Sequence, residues 1–509
     1  MPVNSQHKDY KAYLPKWERC RDVCAGGDAV REAGERYLPK LKDQPADVYN
    51  LMRVRSTFYA ATWRTVSGLL GMIFRQPPKV EVPETVKLLL EDVDAAGQPF
   101  QLFLQDVGEN ALKYGRLAVL VDYPTAPEGI TLADAQLLNL RPTMQLYNTF
   151  ALLNWRTGRV NNQTVLVHVV LKETEMVIDP EDPYVEKEED RWRVLDLVDT
   201  VSTDAKQGKK YRQQVYKMAK GQAATKAAVA TFIQVGSDVF PKMNNVPLDY
   251  IPLVIMGTDD VGTDVDDPPL IDLVDMNLSH YRTSATYEQC LYFSPPTLML
   301  TGFKTENPGE KVYVGSGTAI ITSAADAKGF FIEYTGNGLA PLEKALERKE
   351  QMMAILGARM LEPQIRGVEA ADTASIHRVG EQSMLASVSI GISFGMTKAT
   401  KWFVEWAGAD PKDALVELNR DFYPAPMTSQ QLTALMMAWQ QGGISDQELF
   451  DLLQQGEIIN REVTLEEHQA QIEARQQQLA DQQMAAQQAF QDQQQQQDGG
   501  QQGGGGTAP

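Results

Sequence analysis

Apolar positions repeat with a helical period in three long stretches between Asp267 and Trp406. In the first, Leu270, Leu273, Val274, Tyr281, Ala285, Leu291 and Tyr292 share one face, with Asp272, Asp275, Ser279, Arg282 and Gln289 opposite. That spacing predicts a helix over about 269–294. Asp267 is placed to cap it, Pro268–Pro269 stand where a helix has no amide hydrogens to lose, and Ser294–Pro295–Pro296 ends it. Four short β-branched or apolar runs follow: Thr297–Thr301, Lys311–Val314, Thr318–Thr322 and Phe330–Tyr334. Asn307–Pro308–Gly309 and Gly315–Ser316–Gly317 separate them, so a compact strand-rich insert is expected. A second helix is predicted from Pro341 to Leu361, striped by Leu342, Leu346, Met353, Leu356 and Met360. Glu362–Pro363 breaks it, Gln364–Ile365–Arg366–Gly367 reads as an exposed loop, and a third helix runs from about Ala374 to Trp406, interrupted only by Gly391 and Gly395.

The first half of the chain mixes both periods. Tyr10–Val23 reads as a surface helix or an arm that packs on a neighbour, and a further helical segment ends near Tyr37. Tyr49–Phe74 carries apolar spacing for one amphipathic helix of six or seven turns, stopped by Pro77–Pro78. After a short strand at Lys79–Val82 and a helix over Phe100–Lys113, Tyr114–Pro124 reads as a buried strand behind a glycine turn. Period-two runs then dominate: Gln145–Tyr147, Leu152–Arg156, Thr164–Lys172, Arg191–Val201, Lys210–Lys217, Ala228–Gln234 and Pro252–Met256, an antiparallel meander. Beyond Trp406 come a strand at Ala414–Leu418, a hinge at Tyr423–Pro426, a helix capped by Thr428, and a helix opened by Ser445 and Glu448 at capping-box spacing. A last helix begins near Thr464. Sequence after about Ala485 is rich in Gln and Gly and is expected to be disordered. The class is α+β.

At 509 residues the chain exceeds one ordinary core, so several domains or an elongated subunit are expected. No apolar run approaches the ~20 residues of a membrane helix, and the first residues lack a signal-peptide pattern, so maturation in a cytoplasm is expected. Three cysteines suit a reducing compartment, and no histidine near Cys20 and Cys24 completes a zinc site. The acidic loop Asp259–Asp267 lacks the spacing of a calcium loop and reads as a solvated linker. The net charge of −19 argues against tight nucleic-acid binding, though not against a surface that DNA slides past.

Four passages resemble the portal proteins of tailed bacteriophages, in particular a portal-like family long catalogued as an uncharacterised domain. They are Tyr13–Asp22, with Trp17; Arg55–Gly68, with the Phe74-Arg-Gln-Pro-Pro78 end; Tyr114–Pro124; and Tyr147 to Asn154–Trp155–Arg156. The resemblance spans roughly residues 8–425 and contains no catalytic signature. It implies a portal fold: an α/β wing over 1–260, a linker and first stem helix over 261–294, and a β-rich clip over 295–338. A second stem helix would take 339–361, a tunnel loop 362–373, the long helix and a returning wing strand 374–427, and a helical crown 428–485. The remainder, 486–509, would be the disordered tail.

The resemblance further implies a homo-oligomeric ring, typically a dodecamer, at one capsid vertex of the virion, assembled in the host bacterial cytoplasm. Double-stranded DNA would pass through its channel during packaging and ejection. Partners would be the terminase large subunit, a head–tail adaptor or tail protein, and the major capsid protein, with no membrane and no cofactor. Glu362, Gln364, Arg366 and Glu369 would line the channel in the tunnel loop. Lys304, Glu306, Glu310, Lys311 and Lys328 would offer the clip's partner contacts.

An enzyme and another head structural protein, such as a minor head or connector component, are the rival readings. Gly315–Ser316–Gly317 lacks the Lys and Ser/Thr of a phosphate loop, and no nucleophile elbow or metal-spaced carboxylate set appears. Glu343, Glu347 and Glu350 are interleaved with Lys344, Arg348 and Lys349, as on an exposed helix.

Overall fold

A computed structural model describes residues 2–124, 134, 137–200, 208–219, 231–243, 246–258, 260–294, 297–302, 326–332, 338–357, 371–422, 427, 429–456, 458–459 and 463–499. The fold is α+β and divides into two compact units, 1–422 and 423–509. The expected strands Lys311–Val314 and Thr318–Thr322, the Tyr423–Pro426 hinge and the Thr428 cap lie outside the described residues.

The first unit opens with helix α1 (Lys8–Ala25) and the short α2 (Gly27–Glu32). Rather than lying on the surface or reaching a neighbour, α1 buries Tyr10, Trp17, Cys20, Val23 and Cys24 within its own chain. Trp17 retains 0% exposure. Burial raises the Cys24 thiol to about 11 and the Cys20 thiol higher, so both are inert packing groups.

The stretch expected as one helix over 49–74 is two, α3 (Ala46–Arg55) and α4 (Ala61–Ile73). Periodicity could not show the break, because the groups that hold it come from far along the chain. Asn277 accepts from the Thr62 amide at 3.3 Å and the Thr62 hydroxyl at 2.9 Å, and donates to the Tyr59 carbonyl at 2.7 Å. Ser56 Oγ lies 3.0 Å from the Tyr281 hydroxyl. The freed backbone groups at the break thus find tertiary partners.

Strand β1 (Lys79–Glu81), the single turn α5 (Glu84–Lys87) and α6 (Phe100–Tyr114) lead to β2 (Arg116–Asp122) and β3 (Thr143–Asn148). Gly115 takes a left-handed conformation (φ 68°) to end α6, and a Cβ there would strike the Asp267 backbone. The apolar run Leu117–Val121 is buried throughout, as a strand covered on both faces must be.

A five-stranded antiparallel meander follows in sequence order: β4 (Leu152–Val160), β5 (Gln163–Ile178), β6 (Glu186–Thr200), β7 (Gly208–Met218) and β8 (Phe232–Val239). The last strand lies later than the expected Ala228–Gln234. After the hairpin β9 (Lys242–Met243) and β10 (Val246–Pro247), β11 (Leu253–Gly257) pairs with β2 to give a three-stranded sheet ordered β11-β2-β3.

Helix α7 (Ile271–Phe293), strands β12 (Thr297–Thr301) and β13 (Lys328–Ile332), and helix α8 (Leu339–Leu356) come next. Asp267 does not cap α7. Leu270 occupies the cap position without a side-chain bond, and Asp267 is drawn into an ion pair with Lys16 of α1. Helix α8 ends before the expected Leu361: Gly357, at φ 153°, turns the chain, and a Cβ there would meet Thr65.

The 36-residue α9 (Ala371–Trp406) runs unbroken through Gly391 and Gly395, because both lie where the helix seats on β11. Strand β14 (Leu415–Glu417) returns to pair antiparallel with β1 across more than three hundred residues of chain.

The second unit holds α10 (Ser429–Gln440), α11 (Asp446–Gln455) and the 35-residue α12 (Leu465–Gly499). The predicted Ser445–Glu448 capping box forms, with reciprocal bonds of 3.2 and 2.8 Å. Thr464 and Glu467 repeat it at the start of α12. Helix α12 continues to Gly499 instead of giving way to disorder near 485, since Ala and Gln are good helix formers.

Candidate functional site

The feature that needs a functional account is the α7–α8 pair with its β insert. Contacts 279–349, 283–349 and 280–350 at one level, and 273–353 and 273–357 at the next, make the helices antiparallel. At the base of the pair Leu273 and Met353 pack with Ala61, all at 2% exposure or less, and Met276 leans on them. Helix α7 is further pinned to α1 by the Arg19–Asp275 ion pair at 3.1 Å.

One level up, the contacts are polar. Lys349 Nζ donates to the Ser279 carbonyl at 2.9 Å and to Thr283 Oγ1 at 2.6 Å. Partial burial lowers its basicity, with Arg282 adding to the effect. His280 Nε2 lies 3.2 Å from Glu350 Oε1. Burial holds this imidazole below its ordinary value despite the carboxylate. Such a level fixes the sliding register of the two helices, which apolar packing alone leaves loose.

Toward the insert the character changes. Helix α7 has no buried residue after Ala285, and α8 has none before Met353. Leu291, Tyr292 and Phe293 are exposed at the end of α7, and Met299, Phe330 and Phe331 on strands β12 and β13, where Phe331 reaches 63%. Leu291 and Tyr292 belong to the apolar stripe of the sequence, and at this end of the helix that stripe is exposed. Strands β12 and β13 pair in antiparallel register, Thr301 opposite Lys328. The apolar side chains at this end of the helix pair are thus left exposed.

Of the residues predicted as sites, only Lys328 can be placed: it is exposed on β13. Lys304, Glu306, Glu310 and Lys311 of the insert, and Glu362, Gln364, Arg366 and Glu369 of the loop before α9, lie outside the described residues.

The sequence reading missed two clusters. The acidic linker before α7 is not simply solvated, for it wraps the side chain of Arg116, which is 1% exposed. Arg116 Nη1 donates to the carbonyls of Thr263 (3.1 Å) and Asp264, and its guanidinium lies 4.2 Å from the centre of the Trp155 ring. Burial lowers its pKa to about 10, while Asp266, Asp9, Asp260 and Asp264 oppose the drop. The signal was a lone arginine opening an apolar strand.

The second cluster joins the two sheets. Arg193 binds Glu173 at 2.6 Å and Asp122 at 3.2 Å, and Gln213 and Tyr147 complete the network. Arg193 stays charged, because Tyr147, Glu173 and Asp122 outweigh its burial. An open cleft of ≈ 620 Å³ beside it is lined by Lys172, Glu175 and Arg191 as well. Each of these charges already has a partner across the strands, so the cleft reads as the outside of a strut.

Among the described residues, no three metal-ligating side chains gather, and no helix is long and apolar enough to cross a membrane.

A family described as Domain of unknown function (DUF4055) matches residues 269–407. Those limits fall within two residues of the start of α7 and the end of α9. No curated protein matches the chain. Three solved structures of a gene transfer agent (GTA) are similar at 11% identity. The neck of the empty particle, computed with C6 symmetry, gives a TM-score of 0.35 over 82% of this chain and 95% of that one. The virion of the native particle gives 0.36 over 83% and 98%. The neck of the native particle, computed with C12 symmetry, gives 0.30 over 84% and 98%. Likenesses this loose carry no weight for function.

Proposed function

We propose that this chain is a non-enzymatic portal subunit of a tailed bacteriophage or phage-like particle. In this reading a ring of copies forms the channel through which a separate ATPase drives DNA into the capsid and through which DNA later leaves. The observation that carries it is the order of elements over 271–406. An antiparallel helix pair rises from an α+β body, holds a β insert with an exposed apolar end, and is followed later in sequence by a 36-residue helix. The match of one family model to just this stretch supports treating it as a single working part.

In this assignment α7 and α8 are the stem, the insert is the clip, the expected tunnel loop 362–373 is cut back to 362–370 because α9 already begins at Ala371, and the second unit is the crown. The pairing of β1 with β14 supports a returning wing strand. The exposed Phe330 and Phe331 would meet neighbouring subunits, and the charged clip residues, Lys328 among them, would meet terminase and then a tail adaptor. Gln364 and Arg366 would touch the passing duplex. The net charge of −19 suits a channel that repels phosphate rather than gripping it.

Negative-stain microscopy with native mass spectrometry of the purified chain, alone and with scaffolding or capsid protein, tests the reading. Closed rings with a central hole and a mass of about a dozen subunits are the expected result. A protein that forms no ring under either condition overturns it. Joint replacement of Gln364 and Arg366 by alanine should change packaging rate or packaged genome length. Unchanged values would remove the loop from the mechanism.

A further inference from the structure

Among the described residues, helix α12 has a surface that nothing in its own unit is long enough to cover. Its 35 residues span about 52 Å, against about 18 and 15 Å for the 12 residues of α10 and the 10 of α11. His468, in its first turn, touches Phe450 of α11. From Gln469 to Ala485 every residue is exposed, Ile472 at 44% and Leu479 at 50%.

The half-buried Leu465 and the exposed Ile472 and Leu479 recur at every seventh position, which aligns them along one line of the helix, with the exposed Met484 off that line. The two flanks of that line differ. Glu473 lies one position after Ile472 and Arg475 three positions after it, which puts them about 100° to one side and about 60° to the other. When identical helices stand side by side in parallel, the Arg475 flank of each copy faces the Glu473 flank of the next at nearly the same height. Glu466 repeats the place of Glu473 one heptad earlier and faces His468 of the next copy, and Gln469, Gln476 and Gln483 carry no charge, so like copies meet without repulsion.

We propose that α12 packs in parallel beside the α12 of neighbouring copies, with Leu465, Ile472 and Leu479 in the seam and Arg475 paired to the next copy's Glu473. One apolar residue per two turns makes a weak seam for two free helices. Held side by side in a ring, the helices have a high effective concentration, and weak seams then close. The inference therefore rests on the ring reading above.

Cysteine cross-linking in the full chain tests it, with Cys290→Ser as background because Cys290 is the least buried thiol. Under mild oxidation of assembled rings, Ile472→Cys should give covalent dimers and higher species at least ten times faster than Gln477→Cys, which points away from the seam. A charge test runs beside it. Glu473→Arg should lower the ring's dissociation temperature, and adding Arg475→Glu to it should restore most of the loss. Closed rings in which the two cysteines react alike, or in which the double charge swap restores nothing, overturn the seam and leave the ring intact. Wild-type chain that never forms rings overturns the ring reading and the seam together.

Discussion

Asn277 is fully buried inside a helix, where its amide would be costly without partners, and it supplies three hydrogen bonds to the break between α3 and α4. Asn277→Ala should cost about 2–4 kcal/mol in denaturant unfolding, because it strands the Thr62 amide and the Tyr59 carbonyl as well as removing bonds. Two glycines of α9 should respond with opposite signs. At Gly391 the nearest atom to a new Cβ is the Gly257 carbonyl oxygen at 3.5 Å, ordinary contact. Gly391→Ala should therefore stabilise by about 0.5–1 kcal/mol through helix propensity. At Gly395 the new methyl would overlap Met256 Sδ and Cγ, and Met256 is fully buried. Gly395→Ala should destabilise by about 1–3 kcal/mol in the same assay.

His280 makes the residue scale pH-dependent. Burial lowers its pKa from an ordinary value near 6.5, against the pull of Glu350 and with a small push from Lys349. The unfolded chain then binds the proton more tightly than the fold does, so stability rises with pH. The contribution is full above about pH 6.5 and shrinks as pH falls below it. Burial lowers His7 in the same direction. Melting temperature should drop between pH 7.5 and 5.5, and His280→Gln should flatten part of that slope.

Among elements, the α7–α8 pair is anchored at one end by packing and held in register by polar contacts above it. Met353 sits in the anchoring cluster at 0% exposure, so Met353→Ala should cost about 2–5 kcal/mol. The loss should appear in the first unit's unfolding transition and leave that of the second unit unchanged, since the two are separate compact units. Helix α12 is the opposite kind of element, long, exposed and rich in Gln. Truncation after Ala485 should leave both ring assembly and the first unit's melting unaltered, because the seam residues lie before that point. Monomers after this truncation would show that the tail has a structural task.

At the scale of the whole molecule, the chain couples a body built for internal packing to surfaces built for other chains. The body is cross-tied over long sequence distances, β1 to β14 and Asn277 to Thr62, which favours one cooperative unit. In the proposed ring, the exposed aromatic end of the α7–α8 pair and Ile472 and Leu479 of α12 would be covered by partners. A monomer should therefore be poorly soluble or short-lived at high concentration, and light scattering against concentration would show association that tracks ring formation in micrographs.

The sequence by itself determined the elements whose signals are local. Proline stops, the Ser445–Glu448 box, the period-two runs of the meander and the helical stripes gave the order of helices and strands and the α+β class. It could not place the break in 49–74, the end of α8 or the cap of α7. In each case a group distant in sequence took part: Asn277 for the break, Thr65 where a side chain at Gly357 would sit, and Lys16 drawing Asp267 away from the helix. Arg116, which the sequence reading did not single out, is the hub of an acidic loop, because desolvation and counter-charges depend on neighbours that only folding assembles. Period and capping act within one or two turns of chain. Burial, ion pairing and the satisfaction of freed backbone groups act between segments, and those the tertiary structure alone could decide.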